Sequence, residues 1–132
     1  MYPADYRYSK EHEWIKVEGP IATLGITDYA QQELGDVVFV EAPKVGAAVT
    51  AGKSLGTVES VKAVSEIYSP VTGEITETNP VLSATPEKIN SDPHGEGWLV
   101  KIRMSNPAEV SSLMDAAAYQ TYVAAKAKEN TA

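Results

Sequence analysis

Apolar and polar residues alternate along much of the chain, and this period-two pattern predicts a protein built mainly of short β-strands. Residues 13–18 read Glu-Trp-Ile-Lys-Val-Glu, with Ile15 and Val17 on the face opposite Lys16, the pattern of a strand. Gly19-Pro20 marks a turn and Ile21 to Ile26 forms a second strand, so the pair reads as a hairpin. Asp36 to Glu41 reads as a buried strand, ended by Pro43. Beyond it Gly46, Gly52, Gly56 and Gly73 separate runs rich in Val, Ile and Thr, and Trp98 to Arg103 is the last clear strand.

Two stretches carry helical signals. Thr27 or Asp28 can cap a short helix through Glu33, Asp28 and Gln31 have capping-box spacing, and Gly35 suits the position after the helix end. After Asn106-Pro107 the periodicity changes: Asn106 suits an N-cap and Pro107 the first helical position. Val110, Leu113 and Met114 then share a helical face, as do Tyr119, Tyr122 and Val123. This predicts a C-terminal helical segment over about 107–128, packed on the sheet, with residues 129–132 frayed.

A weak repeat runs through the middle. Pro43, Gly46, Gly52 and Leu55 recur 27 residues later as Pro70, Gly73, Asn79 and Leu82. Gly and Asn are the residues that best adopt positive φ, so the second turn is expected to keep the chemistry of the first. Two equivalent halves closing a small sandwich or flattened barrel fit this spacing.

Composition narrows the function classes. The 132 residues suit a single domain over 1–132, and 43% hydrophobic content exceeds that of a disordered chain. Eleven basic residues against 18 acidic ones give a net charge of -7, with no basic stripe for nucleic acid. The acidic balance serves solubility or meets basic partner surfaces. No cysteine is present, so disulfides, thiolate metal sites and a cysteine nucleophile are excluded, and any thiol chemistry must come from an attached group. Met1 to Lys10 lacks a secretory apolar stretch and no run approaches a membrane span, so a cytoplasmic protein is expected, or a matrix protein after loss of a transit peptide if the source is eukaryotic.

The chemically informative stretch is Gly56 to Gly73, which reads as strand, tight turn, strand with Lys62 at or beside the tip. Val61 and Ala63 flank it with short apolar side chains that neither pair with its amine nor crowd it. By itself this is the pattern of an ordinary solvated turn lysine, and spacing alone does not decide otherwise.

Glu59-Ser-Val-Lys62-Ala63, however, resembles the lipoyl-attachment motif of the glycine cleavage H proteins. Matching segments follow in family order: Tyr8-Ser-Lys-Glu-His-Glu-Trp14, Gly25-Ile-Thr-Asp-Tyr-Ala30, Leu34-Gly-Asp-Val-Val-Phe-Val-Glu41, Tyr68-Ser-Pro-Val-Thr-Gly-Glu74, and Ile89-Asn-Ser-Asp-Pro93 with Gly95-Glu-Gly-Trp98. They span nearly the whole chain. The resemblance implies a mainly β fold, a lipoyl-type hybrid barrel-sandwich of two antiparallel sheets with a short internal helix and a C-terminal helical segment. It also implies a carrier rather than an enzyme, with lipoic acid covalently attached to Lys62. Such a carrier takes an aminomethyl group from a pyridoxal-phosphate glycine decarboxylase to a tetrahydrofolate-dependent aminomethyltransferase. Its dithiol is reoxidised by dihydrolipoamide dehydrogenase, and a lipoylating enzyme installs the group. A mobile arm serving several partners suits a monomer.

The loaded arm carries an amine, which favours a carboxylate lining where it docks. Glu13 and Glu66 are the candidates, at positions that in the family line the cleft sheltering the arm; the second is often Asp there. Glu59 is a candidate for recognition by the lipoylating enzyme. His12 and His94 lack a ligand set for a metal and are assigned to structure or surface. Ser60 and Ser65 have no evident base for nucleophilic catalysis. Trp14, Phe39 and Trp98 are expected to anchor the core or its edge.

Other readings stay open at this point. A biotinyl carrier would share the fold, but such carriers usually flank the lysine with Met, where this chain has Val61 and Ala63. An H-like protein that only relays lipoyl groups would use the same lysine. An unmodified β-rich interaction domain would leave the motifs without a purpose.

Overall fold

A computed structural model of the chain describes residues 2–131, and their side chains as far as Lys126. Nine strands run in chain order: β1 (Arg7–Tyr8), β2 (Glu13–Glu18), β3 (Ile21–Ile26), β4 (Val37–Glu41), β5 (Ala48–Val49), β6 (Ser54–Ser60), β7 (Val64–Tyr68), β8 (Gly73–Thr78) and β9 (Val100–Met104). The helices are α1 (Asp28–Leu34), α2 (Val81–Ala84), α3 (Lys88–Ser91) and α4 (Ala116–Thr131), with a 3-10 segment at Pro107–Ser112. Two antiparallel sheets result, one ordered β1-β2-β3-β9-β8-β5 and one ordered β4-β6-β7.

Alternation decides what lies between the sheets. Val100, Ile102 and Met104 of β9 point inward. With Ile15, Leu24 and Ile75 they form one cluster with Val58 and Ile67 of the smaller sheet. Each such side chain, fully buried, stabilises the fold by about 1.5–3 kcal/mol. A second cluster gathers Tyr8, Trp14, Ala116 and Tyr119, and through it α4 closes over β1.

The first hairpin has the predicted limits, and Trp14 faces Gly25 across it. The indole occupies the space a side chain at Gly25 would need: a Cβ there would lie 2.5 Å from Trp14 Cζ2. Trp14 Nε1 donates to the carbonyls of Ile26 (3.0 Å) and Pro93 (2.9 Å), which settles the buried N–H. In α1 the cap is Thr27, whose Oγ1 accepts from the Ala30 N–H; Asp28 receives the Gln31 side chain instead. Gly35 ends the helix at φ 80°.

Several expectations need correction. The strand at Val37–Glu41 is not buried throughout: Val37 is buried, but Val38 and Phe39 are 49% and 54% exposed. Phe39 is therefore no core anchor: it pairs across the strands with the exposed Glu59 and stands outside the core cluster. The repeat does not carry equivalent turns. Gly46 and Gly52 have positive φ, while Gly73 and Asn79 do not. Asn79 works through its side chain, donating to Glu96 and Trp98 and accepting from Val81 N–H. Leu55 lies on a strand and Leu82 on a helix. The C-terminal helix is interrupted: after the 3-10 segment, Met114 bridges to Tyr8 before α4 begins, and Asn106 makes no side-chain cap bond. Helix α4 continues through Thr131, past the point where fraying was expected; Ala132 lies outside the described residues. The last strand starts later than predicted, at Val100.

Gly25→Ala should cost about 2 kcal/mol, since the methyl collides with a ring pinned by two hydrogen bonds. Urea denaturation measures it, and a loss below about 0.5 kcal/mol would show that the indole is free to move.

Candidate functional site

Lys62 stands in the three-residue connection between β6 and β7, and it is exposed. The connection is held by Ser60, a residue found where turns need a short hydroxyl. Ser60 N–H donates to Ala63 O (2.8 Å), and Ser60 Oγ accepts from the N–H groups of Lys62 (3.3 Å) and Ala63 (3.1 Å). Val61 N–H donates to Asp36 O (3.0 Å), which ties the tip to the segment before β4. The tip is thus fixed from two sides while the Lys62 side chain extends from it. Among the described residues the Lys62 ammonium has no ion-pair partner. A Cβ added at Gly35 would sit 3.7 Å from Lys62 Cε, so the stem of the lysine passes the C-terminal end of α1.

A cleft of about 170 Å³ opens between α1, the turn before β2, and strands β6 and β7. Glu11, Glu13, Glu33 and Glu66 supply its carboxylates, with Leu34 and Ser65 among the lining residues. Leu34 adjoins Gly35, so the cleft reaches the end of α1 beside which the Lys62 stem lies. Its volume is small against the roughly 300–1,000 Å³ of ordinary ligand pockets and suits the end of an arm, not a free metabolite. A wider depression of about 380 Å³, bounded by Phe39 and Leu82, contains none of the predicted site residues.

Glu13 is only 2% exposed. Its Oε1 accepts from Ser9 Oγ (2.6 Å) and its Oε2 from Tyr68 N–H (3.1 Å). Burial, the largest influence, pushes the carboxyl up to about 7, against the pull of these two hydrogen bonds. A nearby cation would favour the ionised form of a carboxyl held there and draw it back toward the ordinary range. Glu66 is exposed, and its Oε2 accepts from Tyr68 Oη (3.1 Å). Tyr68 therefore contacts both predicted arm-docking acids, one through its backbone and one through its phenol. Glu59 lies elsewhere, exposed on β6 opposite Phe39 and Val64.

Sequence reasoning missed Ser60 as the residue shaping the tip, and Glu11 and Glu33 as cleft acids. A serine two positions before a hairpin lysine is a readable turn signal. The two acids gave none, because only the docking of α1 brings them to the cleft.

The sequence model of the family described as Glycine cleavage H-protein matches residues 6–126. The chain belongs to the glycine cleavage H-protein family. Relatives named Glycine cleavage system H protein include one from Acidobacterium capsulatum, 57% identical over 122 residues, covering 92% of this chain and 94% of that protein. Another, from Symbiobacterium thermophilum, is 56% identical over 120 residues, covering 91% and 94%. A crystal structure of a glycine cleavage system H protein from Mycobacterium marinum matches with a TM-score of 0.81 and 40% identity, covering 89% of this chain and 94% of that one. The two-sheet architecture with a C-terminal helix is thus that of the H proteins, a lipoyl-type barrel-sandwich. H proteins are carrier components and not catalysts, and this family is one that carries lipoate.

The raised pKa of Glu13 has a consequence for stability. The unfolded chain releases this proton near the ordinary value of 4.5, the folded chain near 7. Between these pH values the folded state binds more protons, so stability falls as pH rises from 4.5 to 7, by roughly 3 kcal/mol in all. Glu13→Gln should remove most of that decline. Urea unfolding at pH 4.5 and 7.5 reads it, and an unchanged slope would place the titration on another group.

Proposed function

We propose that Lys62 bears the lipoyl group in amide linkage and that the chain uses it to shuttle cargo within the glycine cleavage system. The observation that carries this reading is the fixed hairpin tip from which an unpaired Lys62 projects beside an acid-lined cleft. When attached, the lipoyl group supplies a disulfide that takes up the aminomethyl unit derived from glycine and a dithiol that is afterwards reoxidised. The chain's own residues do the rest. Ser60 and Asp36 hold the attachment point still. Glu13, supported by Glu66, receives the ammonium of the loaded arm in the cleft, where a poised carboxyl gains most from a cation. Glu59, exposed on the strand leading to the tip, is read by the lipoylating enzyme.

The partners in this reading are glycine decarboxylase, aminomethyltransferase, dihydrolipoamide dehydrogenase and the lipoylating enzyme. It takes residues 1–132 as one folded unit, monomeric and cytoplasmic. No helix among the described residues is long and apolar enough to cross a membrane. Tethering favours such a design, because a carrier's arm meets each active site at high effective concentration once the carrier docks.

Incubation with a lipoylating enzyme and lipoate, followed by intact mass and peptide fragmentation, tests the reading. One lipoyl amide at Lys62 is expected, and none on Lys62→Arg. Modification of another lysine, or a fully unmodified chain, would sink it. In the same assay Glu59→Gln should slow lipoylation by roughly three- to ten-fold, as expected when one charge-assisted hydrogen bond to the enzyme is weakened. An unchanged rate would remove Glu59 from that role.

A further inference from the structure

Two tyrosines of the C-terminal helix reach the wall of the arm cleft, and Tyr119 also bonds to the cap of α1. Tyr119 on α4 is fully buried, stacked at 4.8 Å on Tyr8. Its hydroxyl lies 2.8 Å from His12 Nδ1 and 2.7 Å from Thr27 Oγ1. These two partners belong to opposite walls of the cleft. His12 is in the turn that also supplies Glu11 and Glu13, and Thr27 is the cap of α1, which supplies Tyr29, Glu33 and Leu34. A backbone bond, Thr27 N–H to His12 O at 3.0 Å, also joins the two walls here.

His12 is also where the backbone is least at ease. It has φ 71°, and it is the non-glycine residue with positive φ among those described. Such a conformation persists only where its surroundings hold it, and it is typical of sites where geometry matters. Its ring meets Tyr29 at 4.7 Å, Tyr122 at 5.8 Å and Tyr119 at 5.9 Å. The residue directly after this constrained position is Glu13. A change of φ at His12 would swing the start of β2 and move the carboxyl out of its bonds to Ser9 and Tyr68.

We infer that Tyr119 is a positioning residue for the arm cleft: its hydroxyl pins the His12 turn to the cap of α1, sets the width of the cleft and keeps Glu13 dry. The inference rests on the reading of this cleft as the arm's dock. It gives α4 a role beyond covering the sheet, since the helix delivers the pin to a site at the far end of the sequence. Tyr119 touches no reacting atom; it acts through His12 and Thr27.

The test uses the full, unlipoylated chain, so its outcome is separable from whether the loaded arm docks, which is read on lipoylated protein. Tyr119→Phe keeps the ring stacked on Tyr8 and removes only the hydroxyl. Two quantities are measured by NMR: the titration midpoint of the Glu13 carboxyl and the exchange rate of the Thr27 amide. In Tyr119→Phe the midpoint should fall toward the ordinary carboxylate range as water enters. Thr27 exchange should rise roughly five- to ten-fold, the effect of one buried hydrogen bond, while amides in the centres of β3 and β9 stay unchanged. Tyr122→Phe is the control: it removes a hydroxyl of the same helix that bonds to Lys10 O at 3.2 Å, and it should move neither quantity. If Tyr119→Phe fails to fold by near-ultraviolet circular dichroism, His12→Asn replaces it. Asn accepts positive φ but takes the imidazole partner away, and it should give the same two changes. A Glu13 midpoint and Thr27 exchange equal to those of the parent chain overturn the inference. So does a general rise in exchange across β3 and β9, which would mark Tyr119 as ordinary core.

Discussion

Glu13 joins the two sheets at their open edge. It belongs to β2 of the larger sheet and accepts from the backbone N–H of Tyr68 on β7 of the smaller one. Strand β7 is an edge strand, so this N–H faces away from its own ladder and needs an acceptor. A carboxylate that closes a sheet edge must be taken out of water, and this is the origin of its raised proton affinity. The same burial leaves a small acidic cleft beside it. The seam of the sandwich and the chemistry of the cleft are therefore one arrangement, and the turn from Ser9 to Glu13 has to satisfy both.

What the sequence disclosed followed the range of the forces involved. The hairpin of β2 and β3 and the capped helix after it were legible because alternation, a Gly-Pro turn and a capping hydroxyl act over a few residues. The position of Lys62 at a tip was legible for the same reason. The burial of Glu13 was not: its partner Tyr68 lies 55 residues away, and a lone acid near a strand start reads as surface. The contact of His12 with Tyr119 spans 107 residues and leaves no local trace. Phe39 misled because an apolar strand predicts burial on both faces, while in β4 Val37 is buried and Val38 and Phe39 stay about half exposed. The spaced glycines suggested duplicated turns, but Asn79 uses its amide to tie down Glu96 and Trp98 instead of adopting positive φ. Family resemblance reached further than local pattern because it carries long-range pairings that no window of the sequence contains.

The absence of cysteine takes on meaning beside this architecture. A carrier of a disulfide must exchange thiols with its partners and not with itself. The residues around the tip are accordingly Val61, Ala63 and Val64, with a hydroxyl from Ser60 that is committed to the turn. With no cysteine in the chain, none stands near Lys62 to compete for the chemistry that its attachment would bring, and four carboxylates line the cleft beside it.

The double anchoring of the tip, at Ser60 and through Val61 to Asp36, has a geometric meaning for any group carried on Lys62. A swinging arm on a swinging loop sweeps a blurred region, and its free end is diluted over all of it. An arm on a fixed pivot sweeps a sphere whose centre is known from the body of the protein. An enzyme that grips the body anywhere has therefore already located that centre, and the remaining search is over angle alone.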